Sequence, residues 1–324
     1  MAKPPSPLKL RADRIQRDQP VLGFIYGVVK KYGDDKGANL SALITYYGFF
    51  SMFPLLLVAF TILGFVLDGK PELRADISQT LAERFPLGID PKSIGGSGLA
   101  LAVGVVLALW SGLGATQVTQ DALNTVWNVP RRTLPNFIVK RLRGLMMLGV
   151  LGGGIVAGTA VSSVVSALGP AARIGGYVGA GLVNAIVIAL LFKLMVEQPL
   201  TWRDVAPGAL FGGVGWTLLA SVGTWYTRRL VDNADKTYGT FAVVIGLLSF
   251  IYLQAQVLVY AAEVSVVASR RLWPRALVVD DPTDADIEVA RAIARRAVDA
   301  GVDHIIDLSA SASVNSAGAP PPTR

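Results

Sequence analysis

The chain has 324 residues, of which 52% are hydrophobic and only 16% charged, with a formal net charge of +7 and a mean hydropathy of +0.50. It has no cysteine and one histidine, His304, so disulfides, thiolate nucleophiles, cysteine zinc centres and a Ser-His-Asp triad inside a helical core are excluded. Charges are missing from six windows, 37–67, 93–120, 144–172, 174–192, 205–227 and 237–262. Each comes close to or exceeds the ~20 residues that cross a hydrocarbon core of ~30 Å. A helix in a soluble core must turn one face to water and seldom stays uncharged so long. The pattern predicts an all-α, polytopic integral membrane protein with six transmembrane helices.

In chain order, residues 1–20 are polar and proline-rich; they read as a disordered arm and lack the early apolar run of a secretory signal. Residues 21–275 form the predicted membrane domain. It opens with a short basic interfacial helix, whose Val21, Phe24, Ile25 and Val28 recur at helical spacing.

The first span holds the uncharged stretch SALITYYGFFSMFPLLL. Its Pro54 removes one backbone donor and frees the carbonyl of Phe50, which in lipid needs another partner. Ser41, Thr45 and Gly48 form a small polar stripe nearby, with Ser51 beside the proline. Two readings remain: a kink that shapes the bundle, or a kinked helix whose Thr45, Ser51 and Pro54 edge a solute path.

The loop after the first span carries Leu73, Ile77, Leu81 and Phe85 at four-residue spacing, a short amphipathic helix by pattern. After the second span, TQVTQDALNTVWNVP sets Val118, Leu123, Val126 and Trp127 opposite Gln117, Gln120, Asp121 and Asn124. That predicts a helix near 117–129, lying at the interface or packed under the bundle and ended by Pro130. Spans three to five carry glycines four apart: Gly149 and Gly153, Gly154 and Gly158, Gly175 and Gly179, Gly208 and Gly212. This spacing lets helix backbones approach, either within one chain or between the copies of a homo-oligomer.

The sixth span aligns Ser249, Tyr252, Gln256, Tyr260 and Glu263 within an arc of about 80°. So narrow a polar stripe should face a polar interior or a water-filled path rather than lipid. Glu263, set among apolar neighbours, suits a proton relay or cation coordination. Lys193, at the end of span four, should lie at similar depth and can pair with Glu263. Both could equally be structural ion-pair or snorkelling positions.

A helix follows from about Thr283 to Ala300, acidic early and rich in arginine late; beyond Ser309 the tail of Ala, Ser and Pro reads as disordered. Basic residues crowd 1–36, 131–143 and 270–275 and thin out in the alternate loops. The positive-inside rule then puts both termini in the cytoplasm. It also explains the net positive charge without nucleic acid as a partner.

SALITYYGFFSMFPLLL, Leu123-Asn124-x-x-Trp127, the Tyr238-Gly239 step and the closing Ala261-Ala262-Glu263-Val264 occur in the same order as in the YihY/virulence factor BrkB family, which the chain resembles from about Gly23 to Ala268. The resemblance implies a six-helix bacterial inner-membrane protein with both ends cytoplasmic. The family's closing element usually reads Gly-Ala-Glu-Val-Asn; here Ser265 stands in the asparagine position. Proteins of this kind have carried a ribonuclease label. The acids here are scattered and the histidine lies in the tail, which argues against nuclease chemistry. The expectation is a non-enzyme with no cofactor and no metal. Its partners are then the bilayer and a small polar solute or ion that it transports or exports; the alternative is a non-transporting scaffold or envelope-integrity factor.

Overall fold

The computed structural model describes residues 6–66, 98–130, 134–168, 173–232, 239–278 and 281–299. They form α1 (Pro7–Asp18), α2 (Pro20–Asp34), α3 (Gly37–Val66), α4 (Gly98–Val126), α5 (Phe137–Leu168), α6 (Arg173–Met195), α7 (Trp202–Asp232), α8 (Gly239–Arg270) and α9 (Asp284–Asp299). Within the described residues the fold is all helical. Six stretches are long and apolar enough to cross a membrane: Gly37–Val58, Leu101–Val126, Phe137–Val161, Ile174–Met195, Trp202–Gly223 and Val244–Arg270. The amphipathic pattern of Leu73 to Phe85, Tyr238 and the tail beyond Ser309 lie outside the described residues.

The spans close a ring. Each of α3 to α7 packs against the next, and α8 packs on both α7 and α3. Helix α4 also touches α6 and α8 across it. The α7–α8 seam depends on glycine, because a Cβ at Gly208 would lie 1.8 Å from the Ala261 carbonyl oxygen and one at Gly212 2.9 Å from the Ala261 Cβ. Ser265 works at this seam: its hydroxyl accepts from Gly208 N–H and donates to the Val205 carbonyl, both at 3.2 Å. Gly154 and Gly179 meet Val187 and Val161 across α5–α6, whereas Gly149, Gly153 and Gly175 have nothing near a prospective Cβ.

One end of the ring is filled and the other is lined. Val126, Trp127, Phe192, Met195, Val205, Val259 and Val266 are fully buried at the end where α2 and α9 pack. Toward the other end, residues 148–161, 174–184, 214–223 and 244–254 contain no buried side chain. The helices still touch there, as Asn184 and Thr217 do through a hydrogen bond of 3.0 Å between α6 and α7.

Two expectations change. Residues 7–18 are helical, not disordered: polar Gln16 and Asp13 are buried against the chain's C-terminal segment, so hydrogen bonds rather than apolar burial order them. The interfacial helix near 117–129 is the last part of α4. Of its supposed polar face, Gln120 and Asn124 are buried and hydrogen-bonded to the carbonyls of Lys140 and Met195, while Asp121 stays exposed and pairs with Lys140. Helix α3 runs unbroken through Pro54, and Ser51 bonds the Gly48 carbonyl rather than that of Phe50.

Candidate functional site

Helix α2 builds the site because its two faces differ. Val21, Ile25 and Val29 are exposed, while Gly23, Gly27, Val28, Lys31 and Tyr32 turn inward. A Cβ at Gly27 would lie 3.1 Å from the Leu272 carbonyl oxygen, so the small residue brings α2 close against the end of α8. That approach buries the last turn of α2. Lys31 has no exposed side-chain surface, and its Nζ spends all three donors: on Asp35 Oδ2 at 2.5 Å, on the Val126 carbonyl at 2.8 Å and on Glu263 Oε2 at 2.9 Å. Asp35 and Glu263 side chains are equally sealed from solvent.

The far end of α4 is the second component. Asn128, at φ 53°, ends the helix in the left-handed conformation, and Val129 N–H bonds back to the Asn124 carbonyl at 2.9 Å. The last carbonyls still face inward, at the negative pole of the helix. Cations from three different elements cap them: Arg296 of α9 on Thr125 at 2.8 Å, Lys31 of α2 on Val126, and Arg270 of α8 on Trp127 at 3.0 Å. The end of α4 is thus a junction at which α2, α8 and α9 are held by charge.

The polar stripe of α8 leads to this junction. Tyr260 stacks on Tyr32 with ring centroids 4.0 Å apart and planes within 5°. Gln256 Nε2 donates to both Tyr32 and Tyr252 hydroxyls at 3.3 Å. Ser249, two turns further on, is exposed. Of the expected path residues, the structure therefore joins Tyr252, Gln256, Tyr260 and Glu263 into one seam with α2. Helix α3 lies beside α8, but Thr45 and Ser51 are buried and turn their hydroxyls onto the Ser41 and Gly48 carbonyls of their own helix; Pro54 is half-buried.

The Lys193–Glu263 pair does not form. Lys193 Nζ instead donates to the Leu200 carbonyl at 2.6 Å and lies 4.8 Å from the Trp202 ring centroid. Equal depth is necessary for a pair but not sufficient, since Lys193 turns to its own loop while α2 supplies Lys31. Nothing in the charge-free windows points to Lys31, which precedes the first span. The available signal was Lys31 and Asp35 four apart on the inward face of an amphipathic helix.

Outside the spans, a second network ties the chain ends together. Asp286 accepts from Lys30 at 2.8 Å, Arg275 at 2.6 Å, and the backbone N–H groups of Ala276 and Thr283 at 2.8 and 3.0 Å. Burial by itself would raise its pKa, but these donors outweigh that and hold the carboxyl well below the usual carboxylate range. Arg275 also reaches Asp34 at 2.7 Å. At Glu197, burial raises the carboxyl pKa against the opposing pull of Arg143. Among the described residues no group of three or more histidines and acids comes together as a metal cage.

A family profile described as Virulence factor BrkB matches residues 28–285. The chain is similar to the inner membrane protein YhjD of Escherichia coli, 26% identical over 82% of this chain and 86% of the relative. It is also similar to a ribonuclease-like protein, YfkH, of Bacillus subtilis, 23% identical over 77% of this chain and 96% of the relative. A UPF0761 membrane protein of Pseudomonas aeruginosa is 26% identical over 78% of this chain and 64% of the relative. No solved structure matches.

Proposed function

The chain belongs to the virulence factor BrkB family, and we propose that it is a bacterial inner-membrane transporter or exporter of a small polar solute or ion, gated by α2. One observation carries this reading. The α8 stripe is sealed at one end by the side chains of a single short helix, while the described parts of α5 to α8 toward the other end bury nothing. The seal consists of a stacked ring pair, weak hydrogen bonds and ion pairs. Such contacts can part and re-form with water, unlike an apolar core.

The E. coli relative is called an inner membrane protein, which supports the location. The sealed end collects α1, α9 and the basic residues of α1, α2 and the 270–275 turn, which supports placing it in the cytoplasm. A ribonuclease-like name attaches to the Bacillus relative. We assign this chain no catalytic role, because the sealed cluster offers one ammonium and two carboxylates with no nucleophile beside them.

The test compares metabolites inside and outside cells that lack the protein, carry it, or carry Glu263→Gln at equal membrane level. A solute retained in the first and third strains and released in the second supports transport and identifies the cargo. Equal solute levels in all three, with an envelope defect that Glu263→Gln repairs, would favour a non-transporting scaffold. One surface favours that second reading: a groove of about 500 Å³ between α6 and α7, lined by exposed Tyr177, Val178, Leu182, Leu210, Val214 and Leu218.

A further inference from the structure

The Lys31–Asp35–Glu263 cluster leaves two buried carboxylate oxygens short of a hydrogen bond. All three side chains are closed to solvent, and the two carboxylates share one ammonium whose three donors are all used. Two buried oxygens therefore have no hydrogen-bond partner, Asp35 Oδ1 and Glu263 Oε1.

The charged groups around the cluster do not supply the missing hydrogen bonds. On α9, Arg296 forms a long ion pair with Asp35 Oδ1 at 4.0 Å and spends its hydrogen bond on the Thr125 carbonyl. On α2, Asp34 is taken by Arg275. On α8, Arg270 is committed to the Trp127 carbonyl and Gln198. Helix α4 contributes only carbonyls at its negative end, which favours a further cation beside them. Tyr32 and Tyr260 cover the remaining side with neutral rings. A buried carboxylate oxygen without a hydrogen-bond partner carries a desolvation penalty that a bound proton or cation relieves.

We propose that this cluster is a binding site for one exchangeable monovalent cation, a proton or an alkali ion, held at Glu263 Oε1 with Asp35 Oδ1. A divalent ion fits less well, because no third carboxylate joins these two and Lys31 already offsets one of them. Because α2 and α8 each contribute one carboxylate, the cation binds only when the seam between them is closed. Occupancy and closure are therefore linked, and the cation favours the sealed state by its differential affinity for it.

The site is read at equilibrium on the purified full-length chain, so it can fail while solute flux survives, and flux can fail while the site survives. Thermal unfolding in detergent is followed in NaCl, KCl and choline chloride at equal ionic strength, across pH 5 to 9 on the order of the range where such membrane proteins are handled. An alkali-ion site gives the wild type a higher Tm in one alkali salt than in choline, and Glu263→Gln abolishes the difference. A proton site gives no salt preference but a Tm that falls as pH rises, and Glu263→Gln flattens that slope. Wild type and variant responding alike to both salt and pH would overturn the proposal. Should Glu263→Gln fail to reach the membrane, Asp35→Asn takes its place. The wild type is also read alone, by infrared difference spectra between the salts and between acid and alkaline pH. A spectrum with no protonated-carboxyl band persisting above the range where exposed carboxyls titrate, and no carboxylate shift between the salts, would equally overturn it.

Discussion

Lys31 and Glu263 are 232 positions apart in the chain, yet Nζ and Oε2 meet at 2.9 Å with neither side chain touching solvent. The contact joins a helix that precedes the first span to the last span of the ring. Removing one partner leaves the other charge buried, a loss of about 3–5 kcal/mol in comparable pairs. Lys31→Met, which leaves two carboxylates without their ammonium, should therefore cost more than Glu263→Gln, which leaves Lys31 paired with Asp35. The double variant should recover part of the Lys31→Met loss. Thermal unfolding of the three variants in one detergent checks the order; equal losses in both single variants would mean that the shared ammonium does not organise the cluster.

The glycines divide by what faces them. At Gly208 a Cβ would lie 1.8 Å from a carbonyl oxygen that cannot move without shifting α8, so Gly208→Ala should weaken the α7–α8 seam by about 1–3 kcal/mol or more. At Gly149 nothing lies within 4 Å, and Gly149→Ala should be neutral or gain up to about 1 kcal/mol from helix propensity. Detergent stability and yield of the two variants give the comparison. A destabilising Gly149→Ala would point to a surface in contact with a second copy.

The tail should detach in acid. The folded pKa of Asp286 lies below its unfolded value of about 3.9. Its contribution is complete above that value and is lost as pH falls from there toward the folded pKa; near neutral pH it is fully present. Limited proteolysis between α8 and α9 should therefore be slow at pH 7 and accelerate only below about pH 4. Asp286→Asn should bring fast cleavage to neutral pH, since it removes the charge that Lys30 and Arg275 hold. Slow cleavage of that variant at pH 7 would show that Arg296 and the apolar face of α9 suffice.

The spans were legible because lipid excludes charge over lengths that no soluble helix matches, and Glu263 stood out at the border of such a window. What surrounds Glu263 was not legible. Depth can be read along a span, so Lys193 qualified as a partner, but the rotation and tilt that turn it toward Leu200 and Trp202 are set by packing. Helix α1 escaped notice for a related reason. Its order comes from Gln16 bonding the Arg275 carbonyl and Asp13 bonding Leu277 N–H, contacts with residues some 260 positions away that leave no periodic trace in the sequence. The end of α4 carries apolar and polar faces as a helix on a membrane surface would, yet Gln120 and Asn124 of the polar face are buried beside the apolar one where other helices converge on it.

The seam between Tyr32 and Tyr260 can be tested without touching a charge. The rings stack at 4.0 Å, an arrangement worth about 0.5–1.5 kcal/mol beyond burial, and Gln256 adds a long hydrogen bond to the Tyr32 hydroxyl. A Cβ at Gly37 would lie 2.3 Å from the Tyr32 ring, so Gly37→Ala must displace that ring and should loosen the seam from outside it. The native chain has no cysteine, and Gln256→Cys therefore supplies a single thiol within the seam, with the loss of that one long hydrogen bond in every background compared. In the otherwise native chain it should react slowly with a membrane-impermeant thiol reagent applied from the side on which α1 and α9 lie. Adding Tyr32→Ala or Gly37→Ala should speed that reaction at least about tenfold, which corresponds to a loss of about 1.4 kcal/mol of closure. Tyr32→Phe keeps the stack and loses only the hydroxyl, so it should change the rate little. Equal rates in all four backgrounds would mean that α2 does not close the path, and the gate assigned to it would have to lie elsewhere on the ring.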